Sequence, residues 1–244
     1  NKEEYNVNGK RGERNSGDEQ QCLILLESSK ELGCDWLIGE QKRKHWLNPT
    51  KELGQHFLVN DELIAFSVKH ATLSSQDHVL EIGAGPGVLT EALLNSNSKV
   101  TAIEIDTVAV KHLREVFATE IEQGKLEIVE GDALEVKWPQ DISKVIANIP
   151  YQISSPLIDK LTRYLREQKD NSLDMVLLLV QEEFGERLVM EYESDVGSLG
   201  MTALLDWESQ IIKKVSPHNF SPNPKVNSCF IEMVPSNEVF PCDK

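Results

Sequence analysis

From His78 onward the chain alternates between short, mostly apolar strand-like segments and longer stretches with helical spacing. His78 to Ile82, Lys99 to Ile105, Lys125 to Val129, Lys144 to Ala147 and Met175 to Val180 are the strand-like segments, the last of them a continuous apolar run. A strand covered on both faces has no polar side, so it reads as a continuous run rather than as alternation. Between them, Gly87 to Leu94, Thr107 to Phe117, Ser155 to Leu165 and Glu182 to Met190 space their apolar residues for helices. Ser155-Pro156 is a start signal, with Ser expected at the N-cap and Pro in the first turn. Leu199 to Trp207 is expected to be helical. Gln210 to Val215 and Ser228 to Val234, joined by a Pro-rich loop, read as a closing antiparallel pair. The alternation predicts an α/β fold, a mostly parallel sheet with helices on both faces.

The front of the chain breaks this rhythm. Residues 1 to about 20 are polar, with Gly and Asn interspersed, and are expected to be disordered. Cys22 to Leu32 suits one short amphipathic helix, and Asn48-Pro49 ends the pattern. The expected organisation is an N-terminal extension over 1–48, one domain over 49–235 and a stub over 236–244.

Composition narrows the class. The hydrophobic share of 40% and charged share of 27% are those of a folded, soluble chain. No apolar run reaches the length of a membrane span, and no secretory or transit signal is evident, which points to a cytoplasmic protein, nucleolar if eukaryotic. Cys22, Cys34, Cys229 and Cys242 lack paired metal spacing, so reduced thiols and no metal are expected. A net charge of −15 argues against indiscriminate nucleic-acid binding. Any polyanion would have to meet a local basic patch: Lys42-Arg43-Lys44 with Lys51 is the densest, and Lys225 is an isolated candidate. The same lysines equally suit an ordinary solvated charge run.

Candidate chemistry lies at the strand ends. Glu81-Ile82-Gly83-Ala84-Gly85-Pro86-Gly87 joins a strand to a helix, and glycines there let a ligand approach the backbone. Glu104, about twenty residues on, ends the next strand, where a carboxylate can accept from both ribose hydroxyls. Asp132 follows the third strand and can accept from an adenine amino group. The glycine spacing departs from the G-x-G-x-x-G of dinucleotide sites. Glu81 would sit poorly beside phosphates but can meet a cationic ligand, which favours S-adenosylmethionine over a dinucleotide. Asn148-Ile149-Pro150-Tyr151 ends the fourth strand. An Asn side chain, a backbone carbonyl outside regular pairing and an aromatic ring together suit an amino group on a flat base.

The ordered series of segments is similar to the ribosomal RNA adenine dimethyltransferase family, whose relatives include the erythromycin-resistance methyltransferases and the mitochondrial transcription factors B. It runs through Lys51 to Leu58, Val79 to Gly87, Glu104 to Asp106, Gly131 to Ala133, Asn148 to Pro156, Val180 to Leu188 and Phe220 to Ser228. The resemblance implies a Rossmann-like methyltransferase fold with a seven-stranded sheet. Gln55, His56 and Leu58 would cover the methionine end of the cofactor, and Gly83 would line its floor beside Gly85. Asn148 and the Ile149 carbonyl would accept from the target adenine N6. Tyr151 would stack on one face of that base and Phe220 on the other, although Phe220 alone equally suits a core position. The implied activity is N6-dimethylation of two adjacent adenines in small-subunit ribosomal RNA, by a monomer. Methylation of a different, large-subunit adenine and a catalytically retired assembly or transcription factor remain the alternatives. Family members usually continue into a small helical domain after the segment corresponding to Val234.

Overall fold

The computed structural model describes residues 55–168, 172–192 and 197–236. The expected disordered tail, the Cys22 to Leu32 helix and the basic residues Lys42, Arg43, Lys44 and Lys51 lie outside the described residues, as does nearly all of the 236–244 stub.

Seven strands form one sheet in the order β4-β3-β2-β5-β6-β9-β7. They are β2 (His78–Ile82), β3 (Lys99–Glu104), β4 (Leu126–Glu130), β5 (Lys144–Asn148), β6 (Met175–Gln181), β7 (Trp207–Val215) and β9 (Ser228–Pro235). The first five are parallel. β9 runs antiparallel between β6 and β7, so the expected closing pair is present, with the later strand inside. All five residues of β2 are buried, Glu81 included, which is why the strand reads as a mostly apolar segment. A second, two-residue pairing joins β1 (Phe57–Leu58) to β8 (Phe220–Ser221), Phe57 opposite Ser221 and Leu58 opposite Phe220.

The helices are α1 (Asp61–His70), α2 (Val88–Asn95), α3 (Thr107–Val116), α4 (Ala118–Glu122), α5 (Ser154–Glu167), α6 (Glu182–Val189) and α7 (Ser198–Ala203). Parallel crossovers are right-handed. The chain steps from β2 to β3 to β4 in one direction and from β5 to β6 in the other. The crossover helices α2, α3 and α4 therefore cover one face of the sheet, and α5 covers the opposite face. Strand order reverses between β2 and β5, and their diverging connections leave a crevice beyond the carboxyl ends of these two strands. The core is made of Leu80, Ile82, Val145, Ala147, Leu178 and Val180 from the sheet against Leu157, Ile158 and Leu161 of α5. Each such fully buried side chain is worth about 1.5–3 kcal/mol.

Two boundaries differ from expectation. The helix predicted over Leu199 to Trp207 ends at Ala203, and Trp207 instead opens β7. Its indole is fully buried and donates to Thr162 Oγ1 at 2.9 Å. The backbone of Asp206 is held by Ser236, and its carboxylate takes two hydrogen bonds from Arg166. Burying a large aromatic on the sheet outweighs local helical spacing here. The other is the start of α5. Its N-cap is Ile153, without a side-chain cap, because a 3₁₀ turn over Tyr151–Ile153 runs straight into the helix. Ser155 falls within the first turn of α5 rather than at its N-cap, while Pro156 stands in the first turn as expected.

Candidate active site

The crevice at the strand reversal holds a cleft of about 270 Å³. Its wall combines four strand ends and the segment that leads into β1. Gly83 and Gly85 come from the turn after β2, Glu104 and Ile105 from the end of β3, and Gly131 to Ala133 follow β4. Asn148 to Ile153 follow β5, and Gln55, His56 and Phe57 close the remaining side.

The glycine turn shows why it must be glycine. Gly83, Gly85 and Gly87 all have positive φ. A Cβ on Gly85 would come within 2.8 Å of the Phe57 ring, so a side chain there would push the β1 segment off the turn. Glu104 is buried and already oriented. Its Oε2 accepts from Gly85 N at 2.8 Å, and Oε1 accepts from Ile105 N and Asp106 N at 2.9 Å each. Asp132 Oδ1 accepts from Leu134 N at 2.8 Å, an Asx turn, and nothing among the described residues donates to its Oδ2.

Asn148 is fixed by what it donates to. Its Nδ2 donates to the His56 carbonyl at 3.1 Å, and a carbonyl can only accept, so the amide orientation is set. Among the described residues nothing donates to its Oδ1. The Ile149 carbonyl, one residue past the end of β5, likewise accepts no backbone hydrogen bond among the described residues. The Tyr151 hydroxyl lies 2.8 Å from Ser228 Oγ, which ties the ring to the start of β9. Burial pushes the Tyr151 phenol above its ordinary range, against the opposing effect of the Ser228 hydrogen bond. The His56 ring lies against Tyr151, with centroids 5.8 Å apart and planes 24° apart, and its Nδ1 donates to the Pro222 carbonyl at 2.8 Å.

Gln55, His56, Gly83, Gly85, Glu104, Asp132, Asn148, Ile149, Pro150 and Tyr151 thus come together on one cleft. Four expected residues stand elsewhere. Glu81 and Leu58 line a smaller adjoining cavity of about 40 Å³, which shares Phe57, Gly83 and Asn148 with the cleft. Glu81 is only 1% exposed and accepts from Thr90 Oγ1 at 2.6 Å. Burial, with the nearby Glu104 charge, pushes its carboxyl up to about 8, so it is mostly a neutral acid at pH 7 rather than a fixed negative charge. Phe220 is 2% exposed, paired through its backbone with Leu58, and does not line the cleft. Lys225 is exposed in the loop before β9.

Sequence reasoning did not pick out Phe57, Ile105, Gln152 or Ile153 on the cleft wall, nor Ser228 behind Tyr151. Ile105 carried a usable signal: an apolar residue directly after the acidic strand end, 48% exposed in a chain that buries most of its isoleucines. Among the described residues no group of three or more His, Cys, Asp or Glu is placed to hold a metal, and no helix is long and apolar enough to cross a membrane.

The buried Glu104 carboxylate, the Asp132 carboxylate and the glycines between them make an acceptor set whose chemistry would fit the hydroxyls and amine of an adenosyl ligand better than a bare phosphate. Residues 47–244 match the model of a family described as ribosomal RNA adenine dimethylase. A probable ribosomal RNA small subunit methyltransferase A of Methanopyrus kandleri is 37% identical over 198 residues, covering 81% of this chain and 68% of that protein. The corresponding protein of Haloarcula marismortui is 41% identical over 184 residues, 74% of this chain and 61% of its own. Among solved structures, a dimethyladenosine transferase from Plasmodium falciparum is 33% identical with a TM-score of 0.66, over 74% of this chain and 64% of that one. The chain therefore spans about two thirds of the length of these relatives. By the match of most of its length to the family model, and by its identity to these relatives, the chain belongs to the ribosomal RNA adenine dimethylase family.

Proposed function

We propose that this protein transfers methyl groups from S-adenosylmethionine to N6 of adenine in small-subunit ribosomal RNA, twice on each of two adjacent adenines, acting as a monomer during subunit biogenesis. The observation that carries this reading is the Asn148 amide, locked by the His56 carbonyl so that its oxygen is left for an incoming donor, beside an Ile149 carbonyl with no backbone partner among the described residues. Two acceptors one residue apart suit the two protons of an exocyclic amine.

When bound, the cofactor supplies a methyl group activated by a positive sulfur. Glu104 would hold its ribose and Asp132 its adenine, while Gly83 and the segment Gln55 to Phe57 would enclose the rest. The protein's own task is alignment. The N6 lone pair of adenine is delocalised into the ring and is a poor nucleophile. Hydrogen bonds from its protons to Asn148 Oδ1 and the Ile149 carbonyl favour a more tetrahedral nitrogen with its lone pair available. Holding that nitrogen in line with the methyl group supplies most of the remaining acceleration. A strong general base has no place in this scheme, and the segment Asn148 to Tyr151 offers none. The target base must leave its stack to reach Asn148. Stacking on Tyr151, worth about 1–3 kcal/mol, offsets part of that cost.

The test is methyl incorporation into unmethylated small ribosomal subunits, comparing the wild type with Asn148→Ala and mapping the modified nucleotide by mass. A protein that binds S-adenosylmethionine through this cleft yet methylates no RNA would refute the reading.

A further inference from the structure

The segment that closes one side of the cleft, Gln55 to Phe57, and the loop from Ser216 to Pro222 are far apart in sequence, yet they are hydrogen-bonded as one piece. Phe57 pairs with Ser221 and Leu58 with Phe220. Val59 N donates to the Asn219 carbonyl at 2.9 Å, and His56 Nδ1 donates to the Pro222 carbonyl. A pair of buried-edge amides completes the joint. Asn60 Nδ2 donates to Asn219 Oδ1 at 2.7 Å, and Asn219 Nδ2 donates onward to the Ser216 carbonyl at 2.9 Å. Asn219 is only 8% exposed. Both amides are therefore oriented: the Ser216 carbonyl accepts only, which turns Asn219 Oδ1 toward Asn60.

Asn60 also has a second task. It is the N-cap of α1, and its Oδ1 accepts from Glu62 N at 2.9 Å and Leu63 N at 3.3 Å. One side chain thus anchors a helix with its oxygen and the distant loop with its nitrogen. This matters to the chemistry because the His56 carbonyl, four residues before Asn60, is what Asn148 donates to. The aim of the Asn148 oxygen depends on where that strand segment lies, and the segment lies where Asn219 and its neighbours hold it.

We propose that Asn60 and Asn219 are positioning residues: their amide pair latches the cofactor-side segment to the loop whose Pro222 carbonyl holds the His56 ring against Tyr151, so that cofactor and target adenine bind cooperatively and Asn148 is aimed only when the latch is closed. This rests on the methyltransferase reading above. Neither residue lines the cleft, and both act through others: Asn60 through Gln55 to Phe57, Asn219 through Phe220 to Pro222. Ordering either side of such a joint removes part of the cost of ordering the other, which is the physical source of the coupling.

Asn60→Ser separates the two tasks of Asn60. Serine is as good an N-cap as asparagine, so α1 keeps its start, but its hydroxyl is too short to reach Asn219. The experiment measures the affinity of the full chain for S-adenosylhomocysteine by calorimetry, with and without a short single-stranded RNA carrying two adjacent adenines. The wild type is expected to bind S-adenosylhomocysteine roughly fivefold or more tightly in the presence of the RNA. Asn60→Ser is expected to keep the wild-type melting temperature and the RNA-free affinity to within about twofold, and to lose that enhancement. Its kcat should fall more than its KM rises, since Asn148 is misaimed rather than removed. Equal enhancement in both proteins overturns the proposal, and so does a wild type with no enhancement. Loss of S-adenosylhomocysteine binding or of RNA methylation by the wild type would instead count against the methyltransferase reading itself.

Discussion

The two ends of the same parallel sheet treat polar groups in opposite ways. At the amino ends of the strands, side chains consume one another. His78 Nε2 lies 2.8 Å from Thr101 Oγ1 and its Nδ1 3.0 Å from Asp141. Asp77 accepts from the Ser74 backbone and hydroxyl and from Ser143 Oγ, and Lys144 reaches it at 3.6 Å while donating to the Ala71 carbonyl at 2.8 Å. At the carboxyl ends, Asn148 and Asp132 are held on one side and, among the described residues, left open on the other: Asn148 gives its nitrogen and keeps its oxygen, and Asp132 gives one carboxylate oxygen and keeps the other. A closed network fixes the fold, whereas a half-closed one holds binding groups in place and leaves them a partner to find. The polar residues of the two ends are alike in type. What separates a structural cluster from a site is how many of their hydrogen bonds are already made.

The contrast can be broken most severely at the closed end. Lys144→Met should cost about 3–5 kcal/mol in denaturant unfolding, because Asp77 would be left buried beside unpaired carbonyls. Affinity for S-adenosylhomocysteine in the remaining folded protein should be unchanged, since Lys144 and the cleft lie at opposite ends of β5. The converse experiment is Asn148→Ala. It should leave the melting temperature within a few degrees and lower methyl transfer about a hundredfold, which is about 2.7 kcal/mol of transition-state alignment. If the two variants exchanged phenotypes, the division of labour along the strands would be wrong. Tyr151→Ala should cost about 1–3 kcal/mol of RNA affinity by filter binding, with cofactor affinity nearly intact.

A gradual, pH-dependent effect tests the one acid that breaks the pattern. Glu81 sits at the carboxyl end of β2 but is closed off, and burial raises its carboxyl from the ordinary 4.5 to about 8. Because the folded state holds this proton more tightly than the unfolded chain, stability is lost as pH rises from about 4.5 toward about 8. Glu81→Gln removes the titration. The stability difference between the variant and the wild type should be flat below pH 4.5, grow in the variant's favour by at most about 1.4 kcal/mol per pH unit up to about 8, and level off above. A difference that stays constant across that window would mean Glu81 is charged in the fold. Asp77 runs the other way. Burial opposes its charge, but hydrogen bonds from Ser74 and Ser143 and the Lys144 ammonium outweigh it and leave the carboxyl below its ordinary value. That contribution is complete above the unfolded value of 3.8 and is lost as pH falls below it.

Much of this was legible before any coordinates. Strands buried on both faces announce themselves as mostly apolar runs, which is how β2, β3, β5 and β6 were found to within a residue or two at each end, and the edge strand β4 was found from its place in the alternation. Glycine, acid and Asn148 positions followed because strand ends in this topology converge on one crevice. What escaped depends on long-range contacts that no local period encodes. Tyr151 meets Ser228 across seventy-seven residues, and Asn60 meets Asn219 across 159. The two-residue strands β1 and β8 are too short to leave a pattern. The side to which Phe220 turns, and the charge state of Glu81, are decided by packing around them. Trp207 was misplaced into a helix because its destination was Thr162, forty-five residues earlier.

The Glu104 carboxylate has a further consequence. Three backbone amides from two loops already grip it, so a nucleoside arriving there meets an acceptor whose orientation needs no adjustment. Most of the organising cost of that half of the pocket was met when the chain folded. Small adenosine-like fragments should therefore bind with high efficiency for their size, and chemistry grown from them toward Asn148 would begin from the half of the cleft that is built in advance.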